Sequence, residues 1–146
     1  MIAMQPKFTL TDAPDLGVRD AIVRPLIAFN NIRASQPENY RPLAIILSKQ
    51  DSGEIVGGLW GGTNFAHLHI DLLFVPDNLR GTGLGRKMML EAEKEAIARG
   101  CRGAWLDTFS FQARGFYERL GYTAFGILDD YPPGQQRIFL HKPLAR

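Results

Sequence analysis

The 146-residue sequence has a single cysteine, Cys101. No disulfide can form within the chain, and no cysteine-based zinc site can be assembled from it. Long apolar runs are absent too. No stretch reaches the roughly 18 apolar residues that a membrane-spanning helix needs. The opening MIAMQPKFTL lacks the apolar core of a signal peptide, so the cytoplasm is the default location. Charge of one sign is also scarce: Lys plus Arg is 17, Asp plus Glu is 15, and the formal charge is +2. No basic run of five or more occurs. A nucleic-acid coat would need a clustered basic face, which this chain does not offer. Repeats, low-complexity segments and Pro/Gly/Ser linkers are missing as well. What remains is 45% hydrophobic and 22% charged, an ordinary balance for one globular domain spanning residues 1–146.

The periodicities predict a β, α, β, β, β, α, β, α, β, β order. Lys7–Thr11 alternates like a first strand. Asp15 is placed to cap a helix from Leu16 to Ala34, with Val18, Ile22, Leu26 and Phe29 at helical spacing. Pro25 falls inside that span and predicts a kink or a break. Leu43–Lys49 and Glu54–Thr63, separated by Asp51–Gly53, read as an antiparallel hairpin. Leu68–Val75 is the next strand. Leu84–Arg99 has the apolar stripe of an amphipathic helix, Leu84, Met88, Ala92 and Ala96, and Gly100 stops it. Gly103–Phe109 is a strand and Gln112–Leu120 a short helix. Tyr122–Leu128 and Arg137–His141 are the final strands, joined through Tyr131–Gly134. This is a mixed sheet with helices packed on it, an α/β (α+β) layer fold.

Two segments carry chemistry. Along Leu68–Val75, strict alternation puts Leu68, Ile70, Leu72 and Phe74 on one face and His67, His69, Asp71, Leu73 and Val75 on the other. The second face therefore begins with three polar side chains. Between this strand and the following helix lies Asn78-Leu79-Arg80-Gly81-Thr82-Gly83-Leu84-Gly85-Arg86. Three alternate glycines let the backbone turn tightly with its N–H groups exposed. The helix adds its free N–H groups and the positive end of its dipole, which together favour an anion such as phosphate. The P-loop string G-x-x-x-x-G-K-[ST] is absent. The dinucleotide fingerprint G-x-G-x-x-G fails because Arg86 or Met88 stands where its last glycine belongs.

Arg80-Gly81-Thr82-Gly83-Leu84-Gly85 resembles the R/Q-x-x-G-x-G/A pyrophosphate loop of the GNAT superfamily of N-acetyltransferases. Ala113-Arg114-Gly115-Phe116-Tyr117-Glu118-Arg119-Leu120-Gly121-Tyr122 is similar to that family's second signature, A-x-x-F-Y-E-x-x-G-[FY]. The motifs stand in order, about thirty residues apart, and the resemblance runs from Phe8 to Leu144. It implies a mixed, mostly antiparallel, splayed central sheet with helices on both faces. It implies acetyl-CoA as acetyl donor, with the pyrophosphate on the amides of Arg80, Gly81, Thr82, Gly83, Leu84, Gly85 and Arg86. The pantetheine arm would lie between the Leu68–Val75 and Gly103–Phe109 strands, against the backbone of Leu73, Phe74 and Val75. Ser110 and Phe116 complete the implied cofactor contacts. Ser110 departs from the family pattern, which often has Asn there.

The implied reaction is acetyl transfer to a primary amine of a small molecule or peptide, by direct attack through a tetrahedral intermediate. Such an amine titrates near pKa 10, so a proton must be removed. Strand N–H groups can stabilise the oxyanion. By the resemblance, Tyr117 is the acid for the leaving thiolate. The base is open among His69, Asp71 and a water relay, with His67 on the same face; a bulge in this strand, which the resemblance also implies, would shift which side chain faces the cleft, so parity does not decide among them. His67, His69 and Asp71 as a metal set find nothing nearby to complete them, and no metal is expected. Neither nucleic acid nor membrane is an expected partner; a homodimer is compatible with the sequence. Two alternatives remain: a CoA-binding module without transferase activity, and an RNA-directed toxin of the same fold.

Overall fold

The structure is a computed structural model that describes residues 4–145. The chain divides into two compact units, Met1–Glu38 and Asn39–Arg146.

In the first unit, Lys7–Thr11 forms no strand. Alternation is only half of a strand; the other half is a neighbour to complete the ladder. Helix α1 spans Val18–Arg33 without a break at Pro25. A proline within a helix forfeits one N–H bond, and here the flanking turns continue regardless. The N-cap is Gly17, with φ 96° and no side-chain cap, rather than Asp15. Asp15 contributes its carbonyl instead, accepting from the Val18 N–H at 3.2 Å. An Asp20–Arg24 pair at 2.7 Å and the Arg33 guanidinium 4.4 Å above the Phe29 ring lie along the helix.

The second unit is a six-stranded sheet in the order β1-β2-β3-β4-β6-β5. Its strands are β1 Arg41–Ser48, β2 Ile55–Asn64, β3 His67–Phe74, β4 Gly103–Phe109, β5 Thr123–Asp129 and β6 Gln136–Pro143. All neighbours run antiparallel except β3 and β4. The connection between those two parallel strands carries α2, Leu84–Ala98, and α3, Arg114–Arg119, follows β4. This is the mostly antiparallel mixed α/β sheet expected from the sequence.

One face of the sheet holds the core. Leu43, Leu59, Leu68, Ile70, Ala104, Leu106, Ile138 and Leu140 from the strands are buried together with Met88, Met89, Ala92 and Ala96 of α2. A fully buried side chain of this kind stabilises by about 1.5–3 kcal/mol. Phe116, Tyr117 and Leu120 of α3 pack against the same cluster. Arg99, just past α2, fixes the helix to the sheet by donating to the carbonyls of Arg41 and Pro42 and to the Thr63 hydroxyl.

The alternation expected along β3 fails at one residue. Trp60 pairs with Leu72 but Gly61 pairs with Ile70, leaving Asp71 as the extra residue of a β-bulge. Side-chain parity therefore reverses there. Leu68 and Ile70 are core residues, and beyond the bulge it is Leu73 and Val75 that pack on the core. Leu72 and Phe74 are exposed on the opposite face. Gly61 makes this possible, because a Cβ at that position would collide with the His69 carbonyl oxygen.

Candidate active site

The parallel pairing of β3 with β4 runs only from His67–Gly103 to Ile70–Leu106. Past that point each strand keeps its outer partner: Leu72, Leu73 and Phe74 stay on β2, while Asp107, Thr108 and Phe109 stay on β6. The two strands thus leave a wedge whose facing backbone edges have no ladder partner among the described residues.

The glycine loop follows the β3 end of this wedge. Gly81 and Gly83 have φ of 77° and 86°, and a Cβ at either would meet nothing within 4 Å. Gly83 is the N-cap of α2, without a side-chain cap and without an acidic residue in the first turn. The first helical bond here is Lys87 N–H to the Gly83 carbonyl at 3.0 Å. The N–H groups of Leu84, Gly85 and Arg86 therefore have no helical acceptor, and the dipole end is left open to an anion. The Thr82 hydroxyl donates to the Leu79 carbonyl at 2.5 Å and shapes the turn. Arg80 folds back, donating to the Val75 carbonyl at 2.9 Å and pairing with Asp77 at 2.7 Å. Arg86 is exposed.

Phe116 closes the loop from the α3 side, its ring 3.3 Å from where a Gly85 Cβ would stand. Tyr117 follows it, edge-on to Phe116 at 5.1 Å and to Tyr122 at 6.2 Å. Burial, and then the charge of Asp107, push the Tyr117 phenol above its ordinary value. It holds its proton at neutral pH. Tyr122 is locked below it: its hydroxyl donates to Glu93 at 3.0 Å, and Lys142 pairs with the same carboxylate at 2.6 Å. The Ser110 hydroxyl donates to Gln135 Oε1 at 2.6 Å and accepts from the Gln136 N–H at 2.9 Å. Both of its roles tie β4 to the β5–β6 turn.

The three polar residues of β3 separate. His67 lies beside His141, with ring centroids 6.0 Å apart, and its Nδ1 bonds the Phe65 carbonyl. His69 stacks on Trp105 at 3.9 Å and 12°. Its Nε2 is buried without a hydrogen-bond partner among the described residues. Burial pulls the His69 imidazole below its ordinary value; the carboxylates of Asp71 and Asp107 pull it up, and Arg137 pulls it down. Asp71, at the bulge, is exposed. Among the described residues no group of three or more His, Cys, Asp or Glu is placed to share a metal ion.

Sequence reasoning passed over Trp105 and Arg137. Arg137 pairs with Asp107 at 2.7 Å and donates to the Tyr131 hydroxyl at 2.9 Å. The signal available for both was the alternation of β4 and β6, which puts Trp105, Asp107 and Phe109 on one face with Arg137, Phe139 and His141. Among the other aromatics of the sheet, Tyr131 stacks on Phe109 at 5.8 Å and Trp60 is half-exposed beside the bulge. Phe65 lies in the β2–β3 turn, at the other end of the strand from the wedge.

The splayed β3–β4 junction, the glycine loop with its free α2 N–H groups and the tyrosine of α3 make up one candidate site. Comparison with known proteins shows the family. The chain is 39% identical over 135 residues to Acetyltransferase Atu2258 of Agrobacterium fabrum, covering 92% of this chain and 97% of that one. It is 38% identical over 120 residues to the blasticidin-S acetyltransferase of Streptomyces morookaense, covering 80% and 88% respectively. An acetyltransferase structure from Bacillus cereus superposes with a TM-score of 0.80 at 31% identity, covering 93% of this chain and 98% of that one. The model of the acetyltransferase (GNAT) family matches residues 18–122. With that match across most of its length, the chain belongs to the GNAT acetyltransferase family.

Proposed function

We propose that this acetyltransferase moves an acetyl group from acetyl-CoA to a primary amine of a small molecule, by direct attack of the amine. The observation that carries the reading is the wedge between β3 and β4, with the uncapped α2 N-terminus at its edge. Acetyl-CoA would supply the activated acetyl group. The N–H groups from Gly81 to Arg86 would hold its pyrophosphate, and Phe116 would close that seat. The unpaired edges of Leu73, Phe74 and Val75 would hold the extended arm in the wedge, as a strand holds its neighbour. Backbone N–H groups on that edge would stabilise the oxyanion.

Proton handling divides between the two banks. Tyr117 would hold the proton for the leaving sulfur; burial and the charge of Asp107 raise its affinity for that proton, so the phenol stays protonated at neutral pH. His69 takes the amine proton. It is neutral at pH 7 because burial lowers its affinity, and its Nε2 has no competing partner. Asp71, at the bulge next to it, attracts the cationic form of the acceptor. Ser110 contributes a hydroxyl lone pair beyond its two internal bonds. The acceptor class draws support from the relative named for blasticidin S. The test is incubation with acetyl-CoA and a panel of amines, aminated antibiotics included, reading both thiol release and the amide product by mass. Release with a matched amide supports the reading. Binding of acetyl-CoA with no release from any amine favours a CoA-binding module, and a salt-dependent RNA shift favours the RNA-directed alternative.

A further inference from the structure

The Arg137 guanidinium sits among three rings, 5.5 Å from Phe109, 5.1 Å from Tyr131 and 5.6 Å from Phe139. Its two hydrogen bonds, to Asp107 and to Tyr131, leave from different nitrogens of one rigid fork. Asp107 is the first β4 residue past the last β3–β4 pair, so it stands at the mouth of the wedge, on the face that carries Trp105. His69 is stacked on that Trp105.

We propose that Arg137 is a positioning residue for the transfer reaction: clamped by the rings, it holds the Asp107 carboxylate toward β6 and so leaves the His69 imidazole free to take the proton of the incoming amine. The proposal rests on the reading of His69 as proton acceptor. Three charged groups act on that ring: Asp71 from its own strand, Asp107 from β4 and Arg137 from β6. Both carboxylates favour the protonated ring, and Arg137 opposes them. Without the guanidinium, Asp107 becomes an unpaired carboxylate on the Trp105 face of β4, and its charge favours the protonated ring. Lysine would retain the charge but not the flat fork that lies on the rings while bonding two partners.

The experiment titrates the protein's three histidines by nitrogen-15 spectroscopy, with the His69 signal assigned by its loss in His69→Asn. In Arg137→Gln the His69 midpoint is expected to rise, and the acid limb of kcat/KM to rise with it. Arg137→Lys moves both less. Asp107→Asn moves the midpoint down, and the double variant Arg137→Gln/Asp107→Asn returns it toward the starting value. Should Arg137→Gln not fold, the lysine variant and the double variant carry the same comparison. An unmoved His69 midpoint in a folded Arg137→Gln protein overturns the proposal. A midpoint that moves in a protein whose His69→Asn variant keeps full kcat/KM overturns it through the reading of His69, and separates that failure from the first.

Discussion

His69 and Trp105 face each other directly across the β3–β4 pairing, with their rings 3.9 Å apart. The stack buries the imidazole, and burial holds it below its ordinary value of 6.5. The unfolded chain titrates near 6.5 and the folded chain lower, so in the window between them the unfolded state binds more protons. Stability contributed by the neutral ring is complete above that window and is lost as the pH falls through it. A melting temperature that drops as the pH falls below about 6.5, with a smaller drop in His69→Gln, is the expected result. Equal drops in the two proteins would assign the acid sensitivity to other groups.

Gly83→Asp should abolish acetyl-CoA binding while leaving the fold in place. The space around a Cβ here is open, so the fold has room for it. Aspartate also tolerates positive φ better than most residues. Its carboxylate would stand at the α2 N-terminus, where the anion is to bind, and would take the N–H groups as an ordinary cap. Calorimetric titration with acetyl-CoA measures this; an affinity equal to the parent protein's would remove the loop from the binding site.

Tyr117→Phe deletes one oxygen and keeps the edge-on packing against Phe116 and Tyr122. General acid catalysis is worth about 10²–10⁴-fold, and kcat should fall by that order with acetyl-CoA affinity nearly unchanged. A phenylalanine variant that turns over normally yet melts earlier would identify a packing tyrosine and leave the thiolate to be protonated by water.

Glu93 is buried and serves two partners, the Tyr122 hydroxyl and Lys142. Glu93→Ala leaves both unpaired and should cost about 3 kcal/mol in denaturant unfolding. Tyr122→Phe, losing one bond, should cost about 1 kcal/mol. A Glu93→Ala protein as stable as its parent would mean that solvent reaches Lys142 and replaces the carboxylate.

The parts of this molecule that were legible in its sequence are the local ones. The turn from Arg80 to Gly85 requires positive φ at Gly81 and Gly83, and glycine is visible in the chain. The α2 stripe buries Met88, Ala92 and Ala96 as its spacing predicts. What escaped depends on residues distant in sequence. The resemblance implies a bulge in this strand but not its place; it falls at Asp71, where Gly61 on another strand lets the His69 carbonyl approach, so parity along β3 alone misplaces Leu72 and Leu73. Arg137 acquires its meaning from Asp107, thirty residues earlier. At the start of the chain the error ran the other way. Alternation over Lys7–Thr11 predicts a strand where the backbone forms none, and of the kink or break that Pro25 predicts, the break is absent from α1.

The short parallel seam divides the sheet into two antiparallel blocks, β1-β2-β3 and β4-β6-β5. Four residue pairs hold the blocks edge to edge. The crossover that links them in the chain is the same segment that carries the glycine loop. A ligand anchored on that loop and laid along the wedge acts as a strut between the blocks, replacing the rungs that the splay removes. Its binding free energy then appears as resistance to unfolding, about 2.7 kcal/mol when the ligand is at a hundred times its Kd. The amides bordering the wedge should be the ones whose hydrogen exchange slows most when the strut is in place.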